Sequence, residues 1–257
     1  GSFQAISSFQ DAFLSKNVKE SIKHAWYKGD WDRHPYVEET VPEYTGFQDQ
    51  GKYSWIKSPN FQDQPAQVGP LANVLAMVAA GHQPTKDYLD ATLSTAGKVA
   101  GTQIPLSAVH STIGRHAARA VRAAVLTDTL NESWKALVDN IGKGDTEICN
   151  QPSFPKGEIQ GFGFHEAPRG VLSHWVVIKD GKIENYQCVV PSTWNAGPRG
   201  KNDELGPYEA SLVGNPIAEP EKPLEVLRTV HSFDPCIACA VHMMDQEDQE
   251  IVKVKVL

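Results

Sequence analysis

The chain has 257 residues, of which 40% are hydrophobic, enough apolar side chains to bury a sizeable core in one large domain or two small ones. With 24 basic against 31 acidic side chains the formal net charge is −7, and the absence of a basic run argues against binding to a nucleic acid. Four cysteines are too few for a disulfide scaffold, and no apolar run reaches the length of a transmembrane helix.

The first segment, residues 3–64, combines many aromatic side chains with turn-forming residues. The alternation of side chains over residues 52–56 predicts one short strand in this segment. A stretch that is so irregular and yet so aromatic is expected to pack against another part of the protein rather than to stand free in solvent.

The second segment, residues 66–142, has the apolar spacing of helices. Thr85 and Ser107 are the expected N-caps of the second and third helices. At about 1.5 Å per residue the third helix would be about 50 Å long, and helices of that length usually belong to bundles. The predicted helices cover residues 66–80, 85–99 and 107–141. We therefore expect an incomplete bundle of one long and two shorter helices.

The third segment, residues 159–257, mixes strand and helix patterns. Two β-rich runs flank Asp180-Gly181, a dipeptide typical of a tight hairpin turn, and Pro191 ends the second run. The predicted elements are strands over 171–178 and 183–190, a helix over 224–231, a short helix from residue 234 and a strand over 251–257. The expected fold class is mainly α with a smaller α+β part: an incomplete long-helix bundle, a β-hairpin and a C-terminal helix that carries a Cys-x-x-Cys pair.

The stretch Asp234-Pro235-Cys236-Ile237-Ala238-Cys239-Ala240-Val241-His242 concentrates chemistry-bearing side chains. Asp at an N-cap and Pro at the first helical position favour a helix start, which would place Cys236 in the first turn, where the helix dipole favours a thiolate. Cys236 and Cys239 would be about 60° apart around that helix and could face one metal ion. His242 would lie about 120° from Cys236 and is expected to serve a neighbouring site.

Three kinds of site are compatible with this Cys-x-x-Cys pair. A redox dithiol usually follows the first strand of a thioredoxin-like βαβ pattern, which this sequence lacks. A structural zinc site needs four ligands, and the sequence has no second Cys-x-x-Cys pair to supply them. A half-site for a soft transition metal, completed by ligands from elsewhere, fits the sequence best.

Four segments, in the same order, resemble the large subunit of nickel–iron hydrogenases, most closely the uptake, membrane-associated and periplasmic types. They are Val68–Ala72, Glu166–Gly170, Asn185–Asn195 and Asp234–His242. The resemblance covers nearly the whole chain, residues 3–257, which corresponds to roughly the C-terminal half of such a subunit. It implies that the complete enzyme catalyses the reversible oxidation of H₂ to protons and electrons.

The resemblance also implies the metal ligands. Cys236 would be a terminal nickel ligand, and Cys239 would bridge nickel and iron. His242 would bind a separate Mg²⁺ through its ring, together with the backbone carbonyl of Cys188, an oxygen ligand of the kind that this hard cation takes. Asp234 would stand beside the metals and support their ligands.

In this family the iron carries carbon monoxide and cyanide, and four residues of the chain would line the pocket around them. Arg169 and Ser192 would donate hydrogen bonds to cyanide nitrogen, while Val190 and Pro191 would exclude water. Arg169 would also assist the splitting of H₂, with a thiolate or Arg169 itself taking the proton. The candidate catalytic residues are Arg169, Cys236 and Asp234.

Two departures from the family pattern bear on function. The chain lacks the family's Arg-x-Cys-Gly-x-Cys motif, which supplies two further thiolates, and the Glu that binds Mg²⁺, so the fragment alone is expected to be inactive. Residues 243–257 follow His242, where the family's chain is cut once nickel is inserted. An intact tail therefore resembles the unprocessed precursor, which would be cytoplasmic, while the mature heterodimer would be periplasmic or membrane-associated.

The implied partners are the N-terminal half of the large subunit with its second Cys pair, an Fe–S small subunit, maturation factors, a C-terminal endopeptidase and H₂. Two alternatives stay open at this point. The chain could be a metal-free folding or maturation module that the maturation factors and the endopeptidase recognise. It could also be a redox or zinc module whose motifs match by coincidence.

The alternating tail over residues 251–257 predicts an ordered strand. The hairpin over 171–190 offers a sheet edge for it. Such pairing would hold Cys236, Cys239 and His242 away from their final places until the chain is cut, and His242 would then carry no Mg²⁺ in the uncut chain.

Overall fold

A computed structural model describes residues 6, 8, 11–37, 39–150, 153, 156–236, 240–244 and 250–255, with only the backbone described in the last two ranges. The helices are α1 (Ala12–Asn17), α2 (Pro70–Ala79), α3 (Gln83–Ala100), α4 (Thr112–Gly142), α5 (Pro191–Ala196), α6 (Pro207–Leu212) and α7 (Leu224–His231). The strands are β1 (Val18–Ser21), β2 (Asp32–Arg33), β3 (Ser58–Phe61), β4 (Gln64–Pro65), β5 (Glu158–Ala167), β6 (Gly170–Lys179), β7 (Lys182–Val189), β8 (Ala240–Met244) and β9 (Glu250–Lys255).

The chain forms two compact units. The helical unit includes Pro70–Gly161 and Val176–Glu184. The mixed unit is made of Ile6–Gly69, Phe162–Trp175 and Asn185–Leu257. No helix among the described residues is both long and apolar enough to cross a membrane.

Three helices form the body of the helical unit. The helices α2, α3 and α4 contact one another in pairs, and α4 is much the longest, as the apolar spacing predicts. Their buried apolar side chains pack into one core. Its members are Leu71, Val74, Leu89, Val109, Ala118 and Val121.

The helix α3 begins earlier than predicted. Its N-cap is His82, whose ring nitrogen Nδ1 accepts a hydrogen bond from the backbone N–H of Thr85. Thr85, the expected N-cap, is buried inside the first turn, and its hydroxyl contacts the same ring nitrogen at 2.8 Å. The prediction was wrong because a histidine ring performed the capping that is more common for a hydroxyl.

The helix α4 begins later than predicted. A separate 3-10 turn occupies Leu106–Val109, so Ser107 caps no α-helix, and Ser111 is the N-cap instead. The Ser111 hydroxyl oxygen accepts a hydrogen bond from the Gly114 backbone N–H at 3.0 Å. A Cβ on Gly114 would lie 2.2 Å from the Val109 carbonyl oxygen, so only glycine allows the first turn of α4 to approach the 3-10 turn so closely.

The C-terminal half of α4 carries an exposed apolar stripe. Its side chains recur at helical spacing and are each about half exposed or more: Leu126, Leu130, Trp134, Leu137, Val138 and Ile141. A stripe of this kind normally faces a core or a partner. In the part of the chain that the structure describes, this stripe stays open to solvent.

The mixed unit contains a four-stranded antiparallel sheet in the order β2-β1-β3-β4. The strand predicted over 52–56 is not formed, because Ser54 makes only an isolated bridge to Ala25. The side chain of Trp55 packs edge-on against Trp26 at a centroid distance of 5.1 Å. The alternation over 52–56 therefore reflects aromatic packing rather than a strand in a sheet.

Aromatic side chains dominate the core of the mixed unit. Val18, Trp175, Val189 and Trp194 are buried together. Two rings of the aromatic first segment, His34 and Tyr36, pack edge-on against Trp175 at centroid distances of 4.9 and 5.2 Å. These contacts bury part of the aromatic surface of residues 3–64.

A second sheet has the strand order β5-β6-β7. The predicted hairpin is confirmed, since Asp180 and Gly181 between β6 and β7 have positive φ angles of 48° and 78°, as a type I′ turn requires. The strand β5 was not predicted. Its glycines at positions 161 and 163 weaken the apolar alternation on which strand prediction depends.

The strand β1 buries a charged side chain. The Glu20 carboxylate is 2% exposed and accepts a hydrogen bond from the Lys57 ammonium at 2.6 Å, while its other oxygen, Oε1, has no partner among the described residues. Burial raises the pKa of Glu20, and the charge of Lys57 lowers it by a smaller amount. The carboxylate of Glu20 therefore depends on Lys57 for its charge balance.

Replacing Lys57 with Met should lower the free energy of unfolding by about 3–5 kcal/mol, because it leaves a buried carboxylate without a counter-ion. The raised pKa means that the folded state binds the Glu20 proton more tightly than the unfolded state, so the loss should grow as pH rises and shrink as pH falls. Denaturant unfolding at acidic and alkaline pH measures both effects. The matched control is Lys86→Met, which removes an exposed pair with Asp90 and should change stability little. Equal losses in both variants would contradict the argument.

Candidate metal centre

The turn between β5 and β6 presents Arg169. Residues 168–169 form the turn, and Gly170 opens β6 with a φ angle of +131°. A Cβ on Gly170 would lie 2.6 Å from Val68 Cγ2, so a larger residue would collide with the neighbouring segment. The glycine therefore fixes where the Arg169 side chain leaves the sheet.

Arg169 holds Asp234 by two contacts. Its Nε donates a hydrogen bond to the Asp234 backbone carbonyl at 3.0 Å and lies 3.3 Å from the Asp234 carboxylate oxygen Oδ1. Asp234 has a φ angle of +56°, a left-handed conformation that is uncommon outside glycine and that Asp tolerates. The guanidinium thus fixes both the backbone and the side chain of this residue.

Ser192 holds the next part of the same segment. The backbone N–H of Cys236 donates a hydrogen bond to the Ser192 hydroxyl oxygen at 3.1 Å. Ser192 is buried in the first turn of α5, between the buried Pro191 and the rest of the helix, and Val190 is the N-cap. The thiol of Cys236 is exposed and forms no disulfide.

The helix predicted from Asp234 is not found among the described residues. The backbone of residues 234–236 is irregular, and residues 240–244 form the strand β8. An N-cap needs an extended backbone with negative φ, whereas Asp234 adopts positive φ where it bonds to Arg169. The expected positions of Cys236, Cys239 and His242 around one helix are therefore not confirmed, and Cys239 lies outside the described residues.

The tail strand predicted over 251–257 is present as β9, but its partner is different. The strand β9 pairs antiparallel with β8, with His242 opposite Lys253. Among the described residues, the hairpin over 171–190 forms a sheet with β5 and does not pair with β9. The strand β8 ends at Met244 and β9 begins at Glu250, and the entropy cost of bringing two segments together is smaller when they are close in sequence.

Cys188 lies near two other polar side chains at the end of β7. Its Sγ is 3.4 Å from His174 Nδ1, and the same ring nitrogen is in short contact with the Tyr186 hydroxyl. Burial raises the pKa of Tyr186, and the neighbouring Cys188 raises it further, so the phenol stays protonated and can donate a hydrogen bond to the imidazole. The His174 ring thus has two polar partners at this end of the sheet.

No individual role was predicted for Val68, Gly69 or Asn195, although Gly69 adjoins Arg169 and Val68 adjoins Gly170. The Asn195 side chain is 2% exposed and bonds to both the backbone N–H and the backbone carbonyl of Val68. A Cβ on Gly69 would lie 3.1 Å from the Arg169 carbonyl oxygen. The motifs that contain these residues were recognised, but no local pattern shows that they meet.

The donor set favours a soft metal with ligands from elsewhere. Among the described side chains, no three of the His, Cys, Asp or Glu residues are close enough to hold a metal ion. The segment 234–236 offers one exposed thiol, held beside a guanidinium and a buried hydroxyl. A thiolate suits nickel or iron, and this arrangement fits a half-site rather than a closed zinc site.

Comparisons with known proteins identify relatives of the whole chain. The family model for nickel-dependent hydrogenase matches residues 2–242. The hydrogenase-2 large chain of Escherichia coli K12 is 52% identical over 100% of this chain and 45% of that protein. The uptake hydrogenase large subunit of Afipia carboxidovorans is 40% identical over 96% of this chain and 44% of that protein. The reduced, active Ni-Fe-Se hydrogenase of Desulfomicrobium baculatum has a TM-score of 0.65 at 32% identity, over 86% of this chain and 44% of that one. The chain thus spans less than half the length of these relatives.

Proposed function

The chain belongs to the nickel-dependent hydrogenase family, and we propose that it is the C-terminal part of the catalytic large subunit of a nickel–iron hydrogenase. The complete enzyme oxidises H₂ reversibly to protons and electrons. The observation that carries this proposal is the exposed thiol of Cys236, on a segment that Arg169 and Ser192 hold at both ends. A thiolate fixed beside hydrogen-bond donors suits a metal that carries anionic ligands.

In this proposal Cys236 and Cys239 would hold nickel, and Cys239 would also hold iron. The ring of His242 and the carbonyl of Cys188 would hold Mg²⁺. When bound, the nickel–iron centre supplies the cleavage of H₂ and accepts its electrons. The second pair of thiolates, and the third protein ligand to Mg²⁺, come from the part of the large subunit that this chain does not include.

The remaining site residues act on ligands, water and protons. Arg169 and Ser192 would donate hydrogen bonds to the cyanide of the iron, and Val190 and Pro191 would keep water out. A thiolate such as the Sγ of Cys236 would take the proton, because a guanidinium is already protonated and has no lone pair to accept it. Asp234 balances the charge of Arg169, from which it is separated by 3.3 Å.

The tail after His242 supports the interpretation of this chain as a precursor. The family match ends at residue 242, and the backbone of His242 pairs with Lys253 in the tail strand. An endopeptidase that cuts after His242 would remove β9 and free His242 to bind Mg²⁺. The same pairing favours a second function for the uncut form, that of a metal-free maturation intermediate which maturation factors recognise in the cytoplasm.

The partners of the mature enzyme follow from the same proposal. The exposed stripe on α4 suits contact with the rest of the large subunit, which the relatives include and this chain does not. An Fe–S small subunit would take the electrons and complete a heterodimer. The mature complex would be periplasmic or membrane-associated, in line with the uptake type of relative.

The test is H₂-dependent reduction of a redox dye by the complete heterodimer. We expect activity and one nickel per large subunit after cleavage behind His242, and little of either before cleavage. The chain of 257 residues alone should be inactive. A processed, nickel-loaded heterodimer without H₂-dependent activity would contradict the proposed function.

A further inference from the structure

We propose that Asn195 is a positioning residue for Arg169. Its side-chain amide fixes the backbone at Val68-Gly69, and this backbone fixes the turn that presents the guanidinium. The effect on catalysis rests on the proposed function, whereas the effect on the Arg169 turn does not.

The first step is the contact between Asn195 and Val68. Asn195 Oδ1 accepts a hydrogen bond from the Val68 backbone N–H at 3.0 Å, and Nδ2 donates to the Val68 carbonyl at 3.0 Å. One side chain thus satisfies both backbone groups of a single residue, as a neighbouring strand would. Only an amide side chain carries an acceptor and a donor in this arrangement, and at 2% exposure water does not replace it.

The second step is the contact between Gly69 and the Arg169 turn. Gly69 has a φ angle of +118°, and a Cβ there would lie 3.1 Å from the Arg169 carbonyl oxygen. A Cβ on Gly170 would lie 2.7 Å from the Gly69 backbone nitrogen. Two glycine backbones therefore meet without space between them, and a shift of the first must move the second.

The third step is the contact between Arg169 and the segment 234–236, which carries Cys236. Arg169 Nε bonds to the Asp234 carbonyl at 3.0 Å, so the position of the turn sets the position of residue 234. The helix α5 contributes to both sides of this arrangement, because Asn195 lies three residues after Ser192, which bonds to the Cys236 N–H. Residues three apart share one face of a helix. The helix α5 thus fixes the donor Arg169 and the ligand Cys236 relative to each other.

The test is Asn195→Asp in the complete heterodimer. Aspartate keeps the acceptor for the Val68 N–H, loses the donor, and places a carboxylate against the Val68 carbonyl. We expect retained nickel and iron, faster hydrogen–deuterium exchange at residues 68–70 and 169–171, and shifted infrared bands of the carbon monoxide and cyanide on iron. The rate of H₂ oxidation should fall about ten- to hundred-fold, the scale of a small displacement in an active site.

Two further variants keep the test sharp. Asn215→Asp is the matched control, because the Asn215 side chain also donates a hydrogen bond, to the Thr229 hydroxyl at 2.9 Å. This hydrogen bond involves neither Val68-Gly69 nor Arg169. The Asn215→Asp variant should leave the hydrogen–deuterium exchange at residues 68–70 and 169–171, the infrared bands of the iron ligands and the rate of H₂ oxidation unchanged. Gly69→Ala perturbs the second step independently, and we expect the same infrared shift from it, which serves if Asn195→Asp does not fold.

The outcomes separate the two proposals. Unchanged exchange at residues 169–171 and unchanged infrared bands in metal-loaded Asn195→Asp would overturn the positioning role. Loss of both metals with faster exchange throughout the mixed unit would overturn it as well, since Asn195 would then be a general structural residue. If the unaltered heterodimer lacks H₂-dependent activity, the proposed function fails, while local exchange at residues 169–171 still decides the positioning role.

Discussion

Replacing Cys236 with Ala in the complete enzyme should reduce both nickel content and H₂ oxidation to background. The substitution removes the thiolate that the proposal assigns to nickel, and alanine supplies no metal ligand in its place. The backbone contact with Ser192 remains, since it uses the N–H of residue 236. The loss should therefore be chemical rather than a loss of fold.

Nickel analysis and dye reduction on the same preparation measure this effect. Cys149→Ala is the matched control, since its thiol is also exposed, and it should retain both metal and activity. The same loss is expected for Cys239→Ala. Substantial H₂ uptake by Cys236→Ala or Cys239→Ala would contradict the assignment of these cysteines as metal ligands.

Replacing Arg169 with Lys should lower the rate of H₂ oxidation per nickel by about a hundred- to a thousand-fold, the usual effect of removing an oriented donor from an active site. Lysine keeps the positive charge but lacks the planar fork, in which Nε holds Asp234 and, in the proposal, the other nitrogens donate to the iron ligands. The metal content should change far less than the rate, because neither metal binds to Arg169 in the proposal.

Rates normalised to nickel content separate these two effects. Arg228→Lys, at an exposed position on α7, is the control and should behave as the unaltered enzyme does. If Arg169→Lys loses its metals wholesale and no inactive, metal-loaded form can be isolated, Arg169 is structural and the catalytic role is wrong.

Local patterns predicted the elements that local interactions determine. The helix α7 spans the predicted residues, and the turn at Asp180-Gly181 has the predicted positive φ angles. The expected N-cap at Thr85 failed because the ring of His82 occupies that role. The dipeptide Asp180-Gly181 predicts the backbone conformation of its own turn. The identity of a helix N-cap depends instead on which of several neighbouring side chains is better placed to accept the hydrogen bond.

The site shows the same limit more strongly. Motifs pointed to Arg169, Ser192 and Cys236, and the structure brings all three to one segment. The helix expected from Asp234 is not found among the described residues, and the contact that accompanies the positive φ of Asp234 comes from Arg169, 65 positions away in sequence. Contacts across such separations depend on the completed fold, and periodicity within one segment carries no information about them.

The apolar stripe on α4 also has a consequence for handling the protein. The exposed apolar side chains of this stripe, among them Leu130, Trp134 and Leu137, are prone to associate with other apolar surfaces. Produced without its missing half, the chain should self-associate or remain bound to chaperones, and its yield should depend more on co-expression with that half than on buffer or temperature. The solubility of the newly made chain would then depend on how soon this stripe is covered.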